Sequence, residues 1–257
     1  MTELRDAGVV ITGAGHGIGA AMARRFADGG ARVVVNDLDQ PAAATVAAEI
    51  GGTAIAGDAA APEDLIATAR AELGAIDIYC ANAGVPTGGS EQATDADWDL
   101  AWQVNVMAHV RASRALTGDW LERGRGHFLS TVSAAGLLTM LGAAPYAVTK
   151  HAVLAFAEWM RITYGHKGIT VQALCPLGVR TNMIADIGAY GKALLEPDAI
   201  APERVADAVA DSLADGPFLI LPHPQVAKMY ANRAADPRRW QEALRALQIQ
   251  IESGPQE

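Results

Sequence analysis

Seven short runs rich in β-branched residues alternate with longer alanine-rich amphipathic segments, and no other feature restricts the fold as much. The runs are GVVIT (8–12), RVVVND (32–37), TAIAG (53–57), IDIYCAN (76–82), HFLSTV (127–132), ITVQALC (169–175) and FLILP (218–222). They are apolar almost throughout, not at every second position, which marks strands covered on both faces. Parallel strands need long crossover connections. The intervening segments supply them as helices over 17–29, 40–50, 62–73, 95–122, 144–165 and 202–214. Local chemistry agrees: APED (61–64) puts proline and acids in a first turn, and Thr94 precedes carboxylates near a positive helix end. The fold class expected is therefore α/β, a three-layer doubly wound parallel sheet of about seven strands.

A chain of 257 residues with 51% apolar composition fits one domain of this class. After Pro222 the composition shifts to a charged tail that reads as one or two amphipathic helices, with Leu244, Leu247 and Ile251 on one stripe. Residues 1–222 are expected to hold the sheet and the site, and 223–257 to form a helical extension of the same domain. The stripe serves packing on that domain or contact with another subunit equally well.

A net charge of -9 argues against a nucleic-acid partner, which needs a clustered basic face. No apolar stretch reaches the roughly 18 residues of a membrane span, and the acidic amino terminus resembles no secretory or transit signal, so a cytoplasmic protein is expected. Cys80 and Cys175 lie in apolar runs without CxxC spacing, as buried reduced thiols do. The six histidines form no HExxH pattern, so no metal is expected.

Gly13, Gly17 and Gly19 stand directly between a strand and a helix in VVITGAGHGIGAAMARRFA. In that context glycines let the backbone turn tightly and approach a pyrophosphate, whose charge suits the helix N-terminus. His16 and Ile18 complete the loop. Asp37 ends the second strand, 18 residues beyond Gly19, near the spacing at which a carboxylate accepts from an adenosine ribose. With Leu38 after it and no Arg or Lys before Gly17, the pattern favours NAD over NADP, although NDLDQP is also good turn chemistry. Asp58 and Ala59 follow the third strand, and Asn82, Ala83 and Gly84 the fourth, all at carboxyl ends where such sheets bind ligands.

Tyr146 and Lys150, four residues apart in YAVTK, share a helix face. A phenol is a poor acid or base at neutral pH unless a nearby cation favours its phenolate. Together with TGAGHGIG, NAG, Asn105 in WQVNVMAHV and Ser133 thirteen residues before the tyrosine, this set resembles the short-chain dehydrogenase/reductase family over about residues 7–220. The resemblance implies a Rossmann-type sheet, a nicotinamide cofactor and a tetrad of Asn105, Ser133, Tyr146 and Lys150. Tyr146 would serve as acid and base and Ser133 would fix the substrate oxygen. Lys150 would lower the tyrosine pKa and bind the nicotinamide ribose, and Asn105 would hold a water leading from Lys150 to solvent. The reaction implied interconverts a secondary alcohol and a ketone. A regulator that kept the fold without turnover, and an epimerase or dehydratase with tightly held NAD, are the alternatives. The two long helices would form a homodimer or homotetramer interface.

One stretch departs from the family pattern of Pro-Gly, a bulky residue, Val or Ile, and Thr. Here it reads CPLGVRT. Pro176, Val179 and Thr181 fit as cofactor contacts, but Leu177 replaces glycine and Gly178 the bulky residue. The path between Pro176 and Val179, and with it the pocket floor, is left open. Substrate contacts are expected from Ser133, Met140, Leu141, Tyr146, Leu177 and Met183, in loops whose Leu, Met, Ile and Ala side chains suit an apolar substrate. An anionic substrate would want a cation, for which only Arg180 and Lys192 offer themselves.

Overall fold

All seven apolar runs become strands of one parallel sheet. The computed structural model describes residues 3–185, 189–214 and 216–254. The chain alternates β1 (Gly8–Thr12), α1 (Gly17–Asp28), β2 (Arg32–Asp37), α2 (Gln40–Ile50), β3 (Thr53–Ala56), α3 (Glu63–Leu73) and β4 (Ile78–Ala81). Next come α4 (Asp95–Trp102), a π-helical turn (Gln103–Met107), α5 (Ala108–Arg123), β5 (Gly126–Thr131), α6 (Ala135–Leu138), α7 (Ala144–Tyr164) and β6 (Ile169–Leu174). The last part holds α8 (Asn182–Ala185), α9 (Ala189–Leu195), α10 (Pro202–Ser212), β7 (Leu219–Ile220), α11 (Gln225–Ala235) and α12 (Pro237–Glu252). The strand order is β3-β2-β1-β4-β5-β6-β7. The chain runs outward from β1 to one edge and then returns to build the other half, so order reverses between β1 and β4 and leaves a crevice at their carboxyl ends.

Register sets the two faces. Val9 pairs with Val33 and Ile78, and Val10 with Val34 and Tyr79. Val9, Ile11, Val33, Val35, Ile78 and Cys80 pack with Met22, Val46 and Val209 from α1, α2 and α10. Val10, Val34, Tyr79 and Phe128 pack with Ile66, Leu116 and Val153 from α3, α5 and α7. Successive strand residues thus serve opposite layers, which is why these runs needed no polar alternation.

Trp120 anchors the second layer. It is fully buried, donates its indole N–H to the Ile76 carbonyl at 2.8 Å, and stands edge-on to Phe128. A Cβ on Gly126 would lie 2.2 Å from the indole, so the close approach of ring to strand requires glycine there. Truncating such a side chain costs about 3–5 kcal/mol.

Two expectations need correcting. The single helix expected over 95–122 is interrupted by the π turn, where Asn105 is drawn toward the site. The seventh strand shrinks to two residues because only Ala173 and Leu174 of β6 pair with it. The short helices α6, α8 and α9 span too few residues to show a period in the sequence. The tail forms two helices, with the α12 N-terminus capped by Asp236, whose carboxylate accepts from Arg239 N–H.

Candidate active site

Tyr146 sits in the first turn of α7 and Lys150 one turn later, against the carboxyl end of β5. Lys150 is 3% exposed. Its ammonium donates to the Thr131 carbonyl at 3.0 Å and lies 5.5 Å from the centre of the Tyr146 ring. Beyond β5, Val132 and Ala134 donate to the Leu174 and Pro176 carbonyls, which carries Ser133 alongside the end of β6. The Ser133 hydroxyl accepts from Ala135 N–H at 3.1 Å and hydrogen-bonds the Tyr146 phenol.

Burial dominates the electrostatics. It pushes the Lys150 pKa down to about 8, opposed by the Cys175 thiol close by. It pushes the Tyr146 phenol up, and the Ser133 hydrogen bond pulls it back. Lys150 was expected to lower this pKa; instead its bond goes to Thr131 and it lies over the ring, so Ser133 is the group that offsets burial. Behind Lys150, His109 Nδ1 lies 2.9 Å from the Ser130 hydroxyl, and burial with the Lys150 charge pushes that imidazole down to about 3. The ring is therefore neutral and adds no second cation.

Asn105 is fully buried in the π turn and does not line the cavity. Its Oδ1 accepts from Val85 N–H at 2.9 Å, while Nδ2 donates to the Val85 carbonyl and to the Thr149 hydroxyl. Those bonds occupy the amide that was expected to hold a water. They tie the π turn to α7 and fix the strand-end segment at Gly84, where an added Cβ would stand 3.2 Å from Asn105 Oδ1 and 3.5 Å from Lys150 Nζ. A π turn at a functional site is a recurrent arrangement, because the extra residue re-aims one side chain.

One cavity of about 630 Å³ joins these groups to the crevice between β1 and β4. Its inner end is lined by Gly13, His16, Gly17, Ile18, Asp37, Leu38, Asp58, Ala59, Asn82, Ala83 and Gly84, with Pro176, Val179 and Thr181 opposite. Two expected members stand outside it. Gly19 lies beneath the loop, where a Cβ would meet the Gly13 carbonyl oxygen at 2.3 Å. At Gly178 a Cβ would meet the Leu195 carbonyl oxygen at 2.0 Å, so the bulk of the CPLGVRT segment has moved to Leu177, which faces the cavity. Asp37 accepts from Gly15 N–H at 2.9 Å and Asp39 N–H at 3.0 Å, and Asp58 from Ala60 N–H at 2.8 Å. The Asn82 amide ties the Thr12 and Gly13 carbonyls to the Thr131 hydroxyl.

Sequence reasoning missed Asn36, Thr12 and His223. Asn36 is buried, lines the cavity, and donates to the Ile55 and Gly57 carbonyls. Thr12 accepts from the Asn82 and Ala83 amides. Small polar residues at strand ends were the only signal for the first two.

The outer end is apolar. Met140, Leu141, Leu177 and Met183 line it, joined by Leu194, Leu195, Met229, Trp240, Leu244 and Leu247. Leu244 and Leu247, from the stripe noted in the sequence, turn toward the cavity, so the tail packs on its own domain. Thr139 lies in the wall with φ +75°, a strained conformation for a β-branched residue. Among the described lining residues Lys150 is the only lysine or arginine, and Asp198 the only carboxylate at the outer end. Arg180 turns aside to the Ala199 carbonyl; the Lys192 side chain and residues 186–188 lie outside the described residues.

The sequence model described as short chain dehydrogenase matches residues 7–190. The chain belongs to the short-chain dehydrogenases. This dehydrogenase is 36% identical over 240 residues to 1-deoxy-11-beta-hydroxypentalenate dehydrogenase of Streptomyces exfoliatus, covering 85% of this chain and 83% of the relative. A short-chain dehydrogenase/reductase from Burkholderia phymatum in complex with NAD superimposes with a TM-score of 0.84 at 25% identity, over 92% of this chain and 95% of that one. An actinorhodin polyketide ketoreductase with NADPH superimposes with a TM-score of 0.74 at 28% identity, over 82% and 91%. The dehydrogenase is thus an oxidoreductase of alcohol or ketone groups on a nucleotide-binding Rossmann-type sheet.

Proposed function

We propose that the chain is an NAD-dependent oxidoreductase interconverting a secondary alcohol and a ketone of apolar character. The observation that carries this reading is that Ser133, Tyr146 and Lys150 line the same cavity as the glycine loop and the carboxyl ends of β1, β2 and β4. The residues fit a dinucleotide. Gly13, with φ +60° and only 2.9 Å between an added Cβ and Ala83 Cα, brings bare backbone to the cavity wall. The N-terminus of α1 follows, where a pyrophosphate is favoured. Asn36 Oδ1, buried at the same end, has no hydrogen-bond partner among the described residues.

When bound, the oxidised nicotinamide supplies a hydride acceptor and a positive charge. In the oxidation direction Tyr146 takes the hydroxyl proton as the carbinol hydride departs, leaving the ketone; in reduction the phenol returns that proton. Ser133 holds the substrate oxygen and the charge that develops on it. Lys150, charged below about pH 8, would hold a ribose hydroxyl. Asn105 acts through position, by holding Val85 and Thr149.

Asp37 supports NAD over NADP. Its carboxylate repels a 2′-phosphate, and no lysine or arginine among the described lining residues compensates at that end. The absence of a described cation at the outer end supports an uncharged substrate. A panel of bulky and small secondary alcohols and hydroxy acids, offered with NAD and with NADP, tests the reading through formation of NADH and ketone. Exclusive turnover of acids removes the apolar assignment, and cofactor binding without net redox favours a regulator or an epimerase.

The same proposal includes a homodimer or homotetramer. Val148, Trp159 and Ile162, exposed on one face of α7 beside exposed Leu100 and Trp102 of α4, support it; light scattering tests it. It also includes a cytoplasmic setting, which the two buried free cysteines suit. No helix among the described residues is long and apolar enough to cross a membrane.

A further inference from the structure

His223, between β7 and α11, is 2% exposed and places both ring nitrogens on one short stretch of backbone. Leu177 N–H donates to Nδ1 at 3.1 Å, and Nε2 lies 2.9 Å from the Gly178 carbonyl oxygen. A carbonyl only accepts, so Nε2 carries the proton, Nδ1 is a bare acceptor, and the ring is neutral. The Gly178 carbonyl also accepts from Ile200 N–H at 3.0 Å, and Val179 forms a bridge with Ile200. Pro176, Leu177 and Val179 all face the cavity. On its other side, the His223 carbonyl accepts from Val226 N–H in the first turn of α11, the helix that carries Met229 to the outer end.

We propose that His223 is a positioning residue: its ring clasps Leu177 and Gly178 so that the Val179 backbone meets the cofactor while the Leu177 side chain floors the substrate pocket. The inference rests on the cofactor reading above. Protonation of Nδ1 would set one N–H against another and open the clasp in acid. Burial lowers the ring's pKa, whereas its bond to Gly178 and the carboxylate of Asp198, the charged group that acts on it, work the other way. With the folded pKa below the unfolded value of about 6.5, the clasp is complete above that value and is lost as pH falls through the folded pKa.

The test is direct NADH binding, followed by fluorescence titration, for the unmodified protein, His223→Phe and His223→Asn. The Phe variant keeps ring bulk without nitrogens and is expected to bind NADH about tenfold more weakly at pH 8, with a cooperative unfolding transition retained. The Asn variant keeps an acceptor near Nδ1 and cannot ionise. It is expected to recover most of the affinity and to hold it as the pH is lowered through the range below about 6.5 in which the unmodified protein loses it. Binding by the Phe variant within about twofold of the unmodified protein, or the same acid loss in the Asn variant, overturns the proposal. If the Phe variant does not fold, the acid comparison between the unmodified protein and the Asn variant decides. An unmodified protein that binds no NADH overturns the cofactor reading and this inference together.

Discussion

The two ends of the cavity are built by different means. The inner end is made of strand ends and backbone: Gly13, Gly17, Asp37, Asp58 and Gly84 come within a few residues of β1, β2, β3 and β4, and hydrogen bonds from Asn82 and Thr12 lock their spacing. The outer end is made of side chains from α6, α9, α11 and α12 and the loops between them, mostly Leu and Met with one Trp. One end fixes where atoms lie to within a methyl group. The other offers apolar area that different side chains can supply, so it shapes what is accepted without setting the chemistry.

Substitutions probe that contrast. Tyr146→Phe, at the junction of the two ends, is expected to lower kcat about 10³-fold while NADH binding stays unchanged; near-normal turnover ends the mechanism proposed. Gly19→Ala places a methyl 2.3 Å from the Gly13 carbonyl oxygen and is expected to weaken NADH binding of the folded protein about 100-fold. Asp37→Ser is expected to shift the ratio of kcat/KM for NADP over NAD about tenfold toward NADP, with little effect on the alcohol KM. Leu244→Ala, at the outer end, is expected to raise KM for a bulky alcohol about fivefold and leave kcat and NADH binding alone. Should the leucine and glycine variants lose NADH binding equally, the distinction between the two ends fails.

Lys150→Met is expected to change stability only slightly, and in the favourable direction. Moving the lysine pKa from 10.5 to about 8 corresponds to a penalty on the order of 3 kcal/mol on the charged folded state. The Thr131 carbonyl, left without its donor, returns part of that. A net gain of about 1 kcal/mol, roughly 3 °C in Tm, is expected at pH 7 alongside loss of turnover. Because the folded pKa is depressed, the penalty is present below about 8 and fades as pH rises toward 10.5. The Tm advantage of the variant should shrink across that interval, and an advantage independent of pH would mean that it comes from packing.

The same contrast explains what could be read from the sequence. β-branched runs and a glycine loop between strand and helix are local patterns, and they located the sheet and the crevice; Ser133, Tyr146 and Lys150 were implied by the resemblance to the short-chain family. His223 could not be found that way, since its partners Leu177 and Gly178 lie about 45 residues earlier and no spacing rule joins them. Leu244, Leu247 and Ile251 show a stripe, but a stripe does not reveal what it faces. The π turn was hidden because QVNVM carries no breaker residue; the bonds from Asn105 to Val85 and Thr149, not local propensity, hold it open.

That turn gives the rod formed by α4 and α5 one residue more than a regular helix would use. Each residue rotates a helix by about 100°. Excising one residue between Gln103 and Met107 would therefore improve the rod's own hydrogen bonding. It would also swing either Asn105 away from Val85 or Leu116 and Trp120 away from the sheet. Most segments lose function when their regular structure is spoiled. Here the dangerous edit is the repair, because the length of this rod, counted in residues, is itself part of the address of the proposed site.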